Sequence, residues 1–141
     1  MRKTEFHMLI LLLGSIILTS CIGNVYEKEL TAGYELSAND DISGMSIYAN
    51  DGQYQVGVVN ATVFSVGFDQ NFIIAKQHPF KNNSINKSVT NYYIVPVKDK
   101  INTSPDENKI GPLTQEEFFI KRKELEVSDN LNFTITIDKL K

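Results

Sequence analysis

The sequence predicts an α+β fold, in which a mainly antiparallel sheet of about six to seven strands carries one C-terminal helix. Short stretches of alternating apolar and polar residues, separated by turn residues, run from residue 24 to residue 97. One strong helix signal covers residues 114–126, and strict alternation over 131–137 predicts a last strand after it. We therefore expect residues 24–141 to form a single globular domain.

The first part of the predicted sheet consists of short strands joined by tight turns. Strands are expected at 25–30, 45–48 and 53–59, because each has β-favouring residues bounded by turn residues. Asn50-Asp51-Gly52 lies between two of these strands and contains residues that tolerate positive φ. This triplet therefore predicts a hairpin.

The next two strands should differ in burial. Residues 62–68 alternate and predict a half-buried strand, in which Gly67 is expected to mark a bulge. Residues 72–75 are apolar without interruption, which predicts a central strand covered on both faces. We expect the C-terminal helix to provide part of that cover.

A further strand is predicted at 92–95, between two polar loops at 81–88 and 99–109. Pro96 cannot donate a backbone hydrogen bond, so this strand should end there or lie at a sheet edge.

The helix signal is a capping box. The Thr114 hydroxyl can accept from the Glu117 amide while the Glu117 carboxylate accepts from the Thr114 amide, and Leu113 can pack on Phe118. We expect Phe118, widened by Phe119, to form the face that packs on the sheet.

The N-terminus consists of a basic start, a short apolar run and a cysteine. A basic start at Arg2-Lys3 precedes an apolar run at 8–18, which is shorter than the roughly 20 residues of a membrane span. Leu18-Thr19-Ser20-Cys21 follows and resembles the lipobox of bacterial lipoproteins, in which the cysteine is acylated. This resemblance implies a signal peptide at 1–20, a lipidated tether at 21–23 and attachment of Cys21 to a bilayer by palmitate or related acyl chains.

The tether predicts where the domain sits. Two residues separate Cys21 from Asn24, a reach of roughly 10 Å. The domain should therefore rest at the cell envelope, on the outer face of the plasma membrane or, in a two-membrane cell, on the outer membrane.

Charge excludes one class of partner. The chain has 14 basic and 17 acidic residues, and loss of Arg2, Lys3 and Glu5 leaves 12 and 16, a net charge of −4. A nucleic-acid binder needs a basic surface. We therefore expect that the protein does not bind nucleic acid. Separately, we expect the domain to be a monomer.

The sequence shows no catalytic or metal-binding pattern. His78 is the single histidine after residue 20, and we expect it to be an exposed loop residue. Neither Asp40-Asp41 nor Asp99 with Asp106-Glu107 has the alternating spacing of a calcium loop. We expect no cofactor, and an enzyme is the less favoured interpretation.

Tyrosines supply the candidate interaction surface. Tyr is favoured both in strands and at protein interfaces, and Tyr48, Tyr54, Tyr92 and Tyr93 fall in or beside predicted strands. Two hypotheses follow. The domain is either a binding module for an envelope protein or a cell-wall component, or a small envelope hydrolase that uses paired carboxylates.

Three stretches resemble a known family. Gly67 to Gln77 contains Phe-Asp-Gln-Asn-Phe-Ile-Ile-Ala-Lys-Gln, Tyr92 to Val95 reads Tyr-Tyr-Ile-Val, and Gly111 to Leu125 begins Gly-Pro-Leu-Thr. In this order they resemble a family of small bacterial lipoproteins with a domain of unknown function. The resemblance covers most of residues 30–127. It implies the same fold and lipidation, and it leaves the function open.

Overall fold

The computed structural model describes residues 23–50, 52–101 and 104–141, which form three layers. The strands are β1 (Tyr26–Glu29), β2 (Tyr34–Ala38), β3 (Ser46–Asn50), β4 (Gln55–Val59), β5 (Val63–Phe68), β6 (Phe72–Gln77), β7 (Phe80–Lys81), β8 (Ser84–Ile85), β9 (Asn91–Pro96), β10 (Ile110–Leu113) and β11 (Ile135–Thr136). The helix α1 is Gln115–Glu124, and short 3-10 turns lie at Ile42–Gly44 and Pro105–Asn108.

Two antiparallel sheets and a helix make up the layers. Sheet one has the order β1-β2-β3-β4, and sheet two has the order β10-β9-β6-β5-β11. Apolar side chains from both sheets form one buried cluster, so the sheets face each other. A second, smaller cluster lies between sheet two and α1. The mainly antiparallel α+β prediction is confirmed, although the described residues contain eleven strands in three sheets, more than the expected number.

Two of the additional strands overlap a predicted loop. β7 and β8 form a separate hairpin that begins at Phe80, one residue before the 81–88 stretch, with Asn82 and Asn83 at its tip. Their φ angles are 51° and 60°, the left-handed values that a two-residue hairpin turn requires. β10 follows the 99–109 stretch and pairs with β9.

The central position of β6 is confirmed. β6 lies between β5 and β9, in the middle of sheet two. Ile73 and Ala75 pack in the cluster between the sheets, while Ile74 packs in the cluster under the helix. Both faces of this strand are therefore covered, which explains its uninterrupted apolar sequence.

The helix begins as the capping box predicts. Thr114 Oγ1 accepts from the Glu117 amide over 3.2 Å, and Glu117 Oε2 accepts from the Thr114 amide over 2.8 Å. These hydrogen bonds hold the pKa of Glu117 below its usual value. Phe118 is only 1% exposed. The expectation that Phe119 widens the packed face was wrong, because Phe119 is 52% exposed. Adjacent residues of a helix point about 100° apart, so a sheet that covers Phe118 does not also cover Phe119.

The last strand is shorter than predicted, because the chain crosses from one cluster to the other. Only Ile135 and Thr136 pair with β5, although 131–137 alternates in burial as expected. Leu131 and Phe133 pack under the helix, whereas Ile135 and Ile137 pack between the sheets.

Gly67 makes this crossing sterically feasible. A Cβ at Gly67 would lie 2.0 Å from the Asn132 carbonyl oxygen, so only glycine admits the passing backbone. The predicted bulge at Gly67 was wrong: pairing is regular there, and the irregularity lies between Val63 and Ser65. β5 is also more buried than expected, because residues 131–137 cover it.

Candidate functional site

A cleft of about 540 Å³ opens at the C-terminal end of α1, on the face of sheet two that lies away from sheet one. This volume is in the range of small-molecule sites. Its lining comes from the last turns of the helix and the segment after it, namely Phe119, Arg122, Lys123, Glu126, Val127, Ser128, Asp129 and Asn132.

A defined helix end shapes one wall of the cleft. The Val127 amide donates to the Arg122 carbonyl over 2.9 Å, which closes the last helical turn. Glu126 adopts a φ of 55°, a left-handed value usually occupied by glycine in this motif. Val127 is buried in the cluster under the helix, so the chain leaves the helix at a fixed point.

Arg122 fixes the segment that follows the helix and lines the cleft. Its Nη2 donates to the carbonyl oxygens of Ser128 over 2.6 Å and Leu131 over 2.9 Å. Its Cζ lies 5.6 Å from the centroid of the Phe118 ring, within the distance of a cation–π contact. The arginine thus connects the helix, the following loop and the buried aromatic side chain.

The helix presents an apolar pair beside the cleft. Phe119 and Ile120 are 52% and 53% exposed, and Phe119 lines the cleft. Lys121 forms an ion pair with Glu124, and Lys123 is exposed. Adjacent exposed apolar residues with charged neighbours are typical of binding surfaces.

A cationic and aromatic layer lies beneath this surface. Lys76 Nζ is 4.4 Å from the Phe133 ring centroid and 5.5 Å from that of Tyr92. The Tyr92 and Phe118 rings are 5.1 Å apart. These contacts fix the ring positions in the cluster between the helix and sheet two.

Of the predicted site residues that the structure describes, none lines the cleft. Its signal in the sequence is the run Phe118-Phe119-Ile120, because three successive apolar residues span more of a helix than one sheet can cover.

The four predicted tyrosines do not form one exposed surface. Tyr92 and Tyr93 are 9% and 6% exposed, because β9 is covered on both faces. Burial raises the pKa of Tyr93, opposed by its interaction with Asn91. Tyr48 is half-buried in β3, and Tyr54 is 63% exposed in the β3–β4 connection.

His78 is buried, contrary to expectation. It is 4% exposed, and its Nδ1 donates to the Val89 carbonyl oxygen over 2.7 Å. Its ring stacks on Phe64 with centroids 4.2 Å apart. The residue immediately precedes Pro79 in the sequence but packs as part of the core.

Two of the acidic residues considered for calcium, Asp41 and Asp106, have structural roles. Asp41 Oδ1 accepts from the Ser43 amide over 2.7 Å. Hydrogen bonds from the Ser43 side chain and from this amide lower the pKa of Asp41. Asp106 pairs with Lys109 at 2.8 Å, which lowers its pKa. Within residues 23–50, 52–101 and 104–141, no three His, Cys, Asp or Glu side chains are placed to hold a metal ion. Cys21 lies outside the described residues.

In the part of the chain that the structure describes, no helix has the length and apolar character needed to cross a membrane.

These features define a class of protein: a small antiparallel α+β domain with a cleft at the end of its helix. Residues 31–140 match the family model described as "Protein of unknown function (DUF3997)". The chain therefore belongs to this family, which confirms the resemblance to a domain of unknown function. Searches of curated proteins and of solved structures found no match.

Proposed function

We propose that this protein is a bacterial lipoprotein, anchored at the cell envelope through acylated Cys21, whose domain is a non-catalytic binding module. The signal-like sequence ending in Leu18-Thr19-Ser20-Cys21 supports the anchor. β1 begins at Tyr26, so the domain starts within five residues of the proposed lipid. The membrane is the plasma membrane or, in a two-membrane cell, the outer membrane.

The observation that carries the binding role is the exposed pair Phe119 and Ile120 beside the cleft. Burial of such side chains by a partner is favourable by about 25 cal/mol per Å² of apolar surface. The walls held by Arg122 are preorganised, so little ordering cost opposes association. The expected partner is an envelope protein or a cell-wall component, bound by a monomer.

The anchor is tested by Cys21→Ser in the full chain. We expect loss of palmitate labelling and accumulation of the unprocessed precursor, because the serine offers no thiol for acylation. Normal labelling and maturation of this variant would refute the anchor.

The binding face is tested by photo-crosslinking in the native envelope. A benzophenone amino acid at position 119 should give a specific adduct, whereas the same group at the exposed position 54 should not. Position 54 is the matched control, because Tyr54 is exposed and belongs to the interaction surface that we predicted from the tyrosines. An adduct from position 54 alone would move the binding face to sheet one.

One observation favours the hydrolase alternative. Glu126 and Asp129 both line the cleft, and a glycosidase-like site needs two carboxylates. If the domain only binds, Glu126→Gln and Asp129→Asn should leave partner capture and complementation of a deletion strain intact. If either change abolishes complementation while capture and folding persist, the hydrolase is the correct function.

A further inference from the structure

A second group of exposed apolar side chains lies away from the cleft. Val25, Phe80 and Val89 are 54%, 49% and 40% exposed. Val25 immediately precedes β1, Phe80 opens the β7–β8 hairpin, and Val89 follows that hairpin. Val25 is far from Phe80 and Val89 along the chain. The three side chains can form one surface only if the fold brings them to the same end of the domain.

Hydrogen bonds place the start of β1 and the hairpin at the same end of the two sheets. The Val25 amide donates to the Ala38 carbonyl over 2.8 Å, at the end of β2. The segment after β2 then contacts sheet two, because Thr62 Oγ1 donates to the Ser43 carbonyl over 2.6 Å. Thr62 in turn exchanges two backbone hydrogen bonds with His78, which precedes the hairpin.

The buried histidine fixes the hairpin region at this end. His78 Nδ1 donates to the Val89 carbonyl, and its ring stacks on Phe64. Phe80 lies two residues after this fixed point. Phe80, at the start of the hairpin, and Val89, after it, therefore lie near the end of β6 and the start of β5.

Lysines accompany these apolar residues. Lys81 is exposed next to Phe80, and Lys87 Nζ donates to the carbonyl oxygens of Lys139 over 3.2 Å and Lys141 over 2.9 Å. This end therefore gathers several lysines in a chain whose net charge is −3. The acidic residues Asp40, Asp41 and Asp138 are also at this end.

We propose that this end of the domain, which we call the tether end (Val25, Phe80, Lys81, Lys87 and Val89), seats in the headgroup region of the lipid bilayer that holds Cys21. The inference rests on the proposed acylation of Cys21. Exposed apolar side chains with lysines around them match the composition of interfacial membrane-binding surfaces.

The length of the tether favours the bilayer over other occupants. Val25 follows Cys21 by four residues, a reach of at most about 14 Å. A domain of this size is about 35 Å across. The end from which the tether emerges must therefore lie against the membrane, and the apolar residues found there meet lipid first.

The absence of tryptophan from the chain permits a direct test. The acylated Phe80→Trp protein is reconstituted in vesicles of phosphatidylcholine and phosphatidylglycerol, with or without brominated acyl chains. We expect the brominated lipid to quench its fluorescence, because the indole should reach the boundary between headgroups and acyl chains. Phe119→Trp is the matched control, with the same substitution at similar exposure on α1, and it should keep its emission.

Flotation of the vesicles separates failure of this inference from failure of the anchor. Protein that does not float with the vesicles would refute both the anchor and the seating. Protein that floats while Phe80→Trp and Val89→Trp both escape quenching would refute the seating alone. Equal quenching of Phe119→Trp would also refute it. A blue shift that grows with protein density, without bromolipid quenching, would assign the tether end to a second copy of the chain instead.

Discussion

The two faces of sheet two are built differently. The face toward sheet one belongs to a cluster of seventeen buried residues, most of them aliphatic. The face toward α1 belongs to a cluster of six, bordered by aromatic rings and by Lys76 and Arg122. The thin second layer leaves Phe119 and Ile120 uncovered and forms the cleft. Stability therefore resides mainly on one face, and the candidate binding surface on the other.

Adjacent residues of β6 give the strongest test of this contrast. Ile73→Ala should destabilise the domain by about 4 kcal/mol and Ile74→Ala by about 3 kcal/mol, because a single helix can close over a cavity more easily than two sheets can. Chemical denaturation of both variants measures the difference. A larger loss at Ile74 would mean that the helix layer is the more rigidly packed of the two.

The crossing between the two clusters is the next most sensitive point. Gly67→Ala should cost about 2 to 3 kcal/mol, because its Cβ would collide with the Asn132 carbonyl oxygen. Gly57→Ala in β4 is the control, since the nearest atoms to its Cβ lie at 3.9 Å. Equal denaturation midpoints for the two variants would show that residues 131–137 can move away from β5.

The helix layer should depend on its cap. Thr114→Ala removes the acceptor for the Glu117 amide and should cost about 1 kcal/mol, whereas Thr114→Ser retains the hydroxyl and should cost less. Thermal denaturation followed by circular dichroism measures both. If the alanine and serine variants unfold together, the hydroxyl contributes nothing to the helix.

The smallest expected effect is a gain at the cleft. Glu126→Gly should stabilise the domain by about 0.5 to 1 kcal/mol, because glycine adopts a φ of 55° without steric cost. Glu126→Ala should give no such gain. A loss of stability with glycine would indicate that the Glu126 side chain makes a contact that outweighs the backbone strain.

Sequence patterns correctly predicted the features that depend on neighbouring residues, namely the helix cap, one hairpin and the end of one strand. The capping box around Thr114 forms as its residues require. β3 and β4 pair as the predicted hairpin, and the Asn50 side chain accepts from the Gly52 amide over 2.8 Å. The end of β9 at Pro96 is likewise confirmed. Each of these features depends on residues within a few positions of one another.

Sequence patterns predicted less well the features that depend on contacts with a distant segment of the chain. Tyr92, Tyr93 and His78 are buried because other layers cover them, and alternation along a strand does not reveal how many layers a fold has. Gly67 resembles a bulge in the sequence, yet the reason for the glycine is a backbone that arrives from residue 132. The cleft was missed for the same reason, since its walls meet only in the folded chain.

The path of the last residues also has a kinetic consequence. The Ser65 hydroxyl donates to the Ile135 carbonyl, 70 residues further along the chain, whereas every pairing in sheet one joins strands that follow each other in sequence. Closing the longer loop costs more chain entropy before any contact compensates for it. Sheet one can therefore assemble early, while the edge strand β11 joins sheet two late. Until then the β5 edge of sheet two stays open to pairing with other chains.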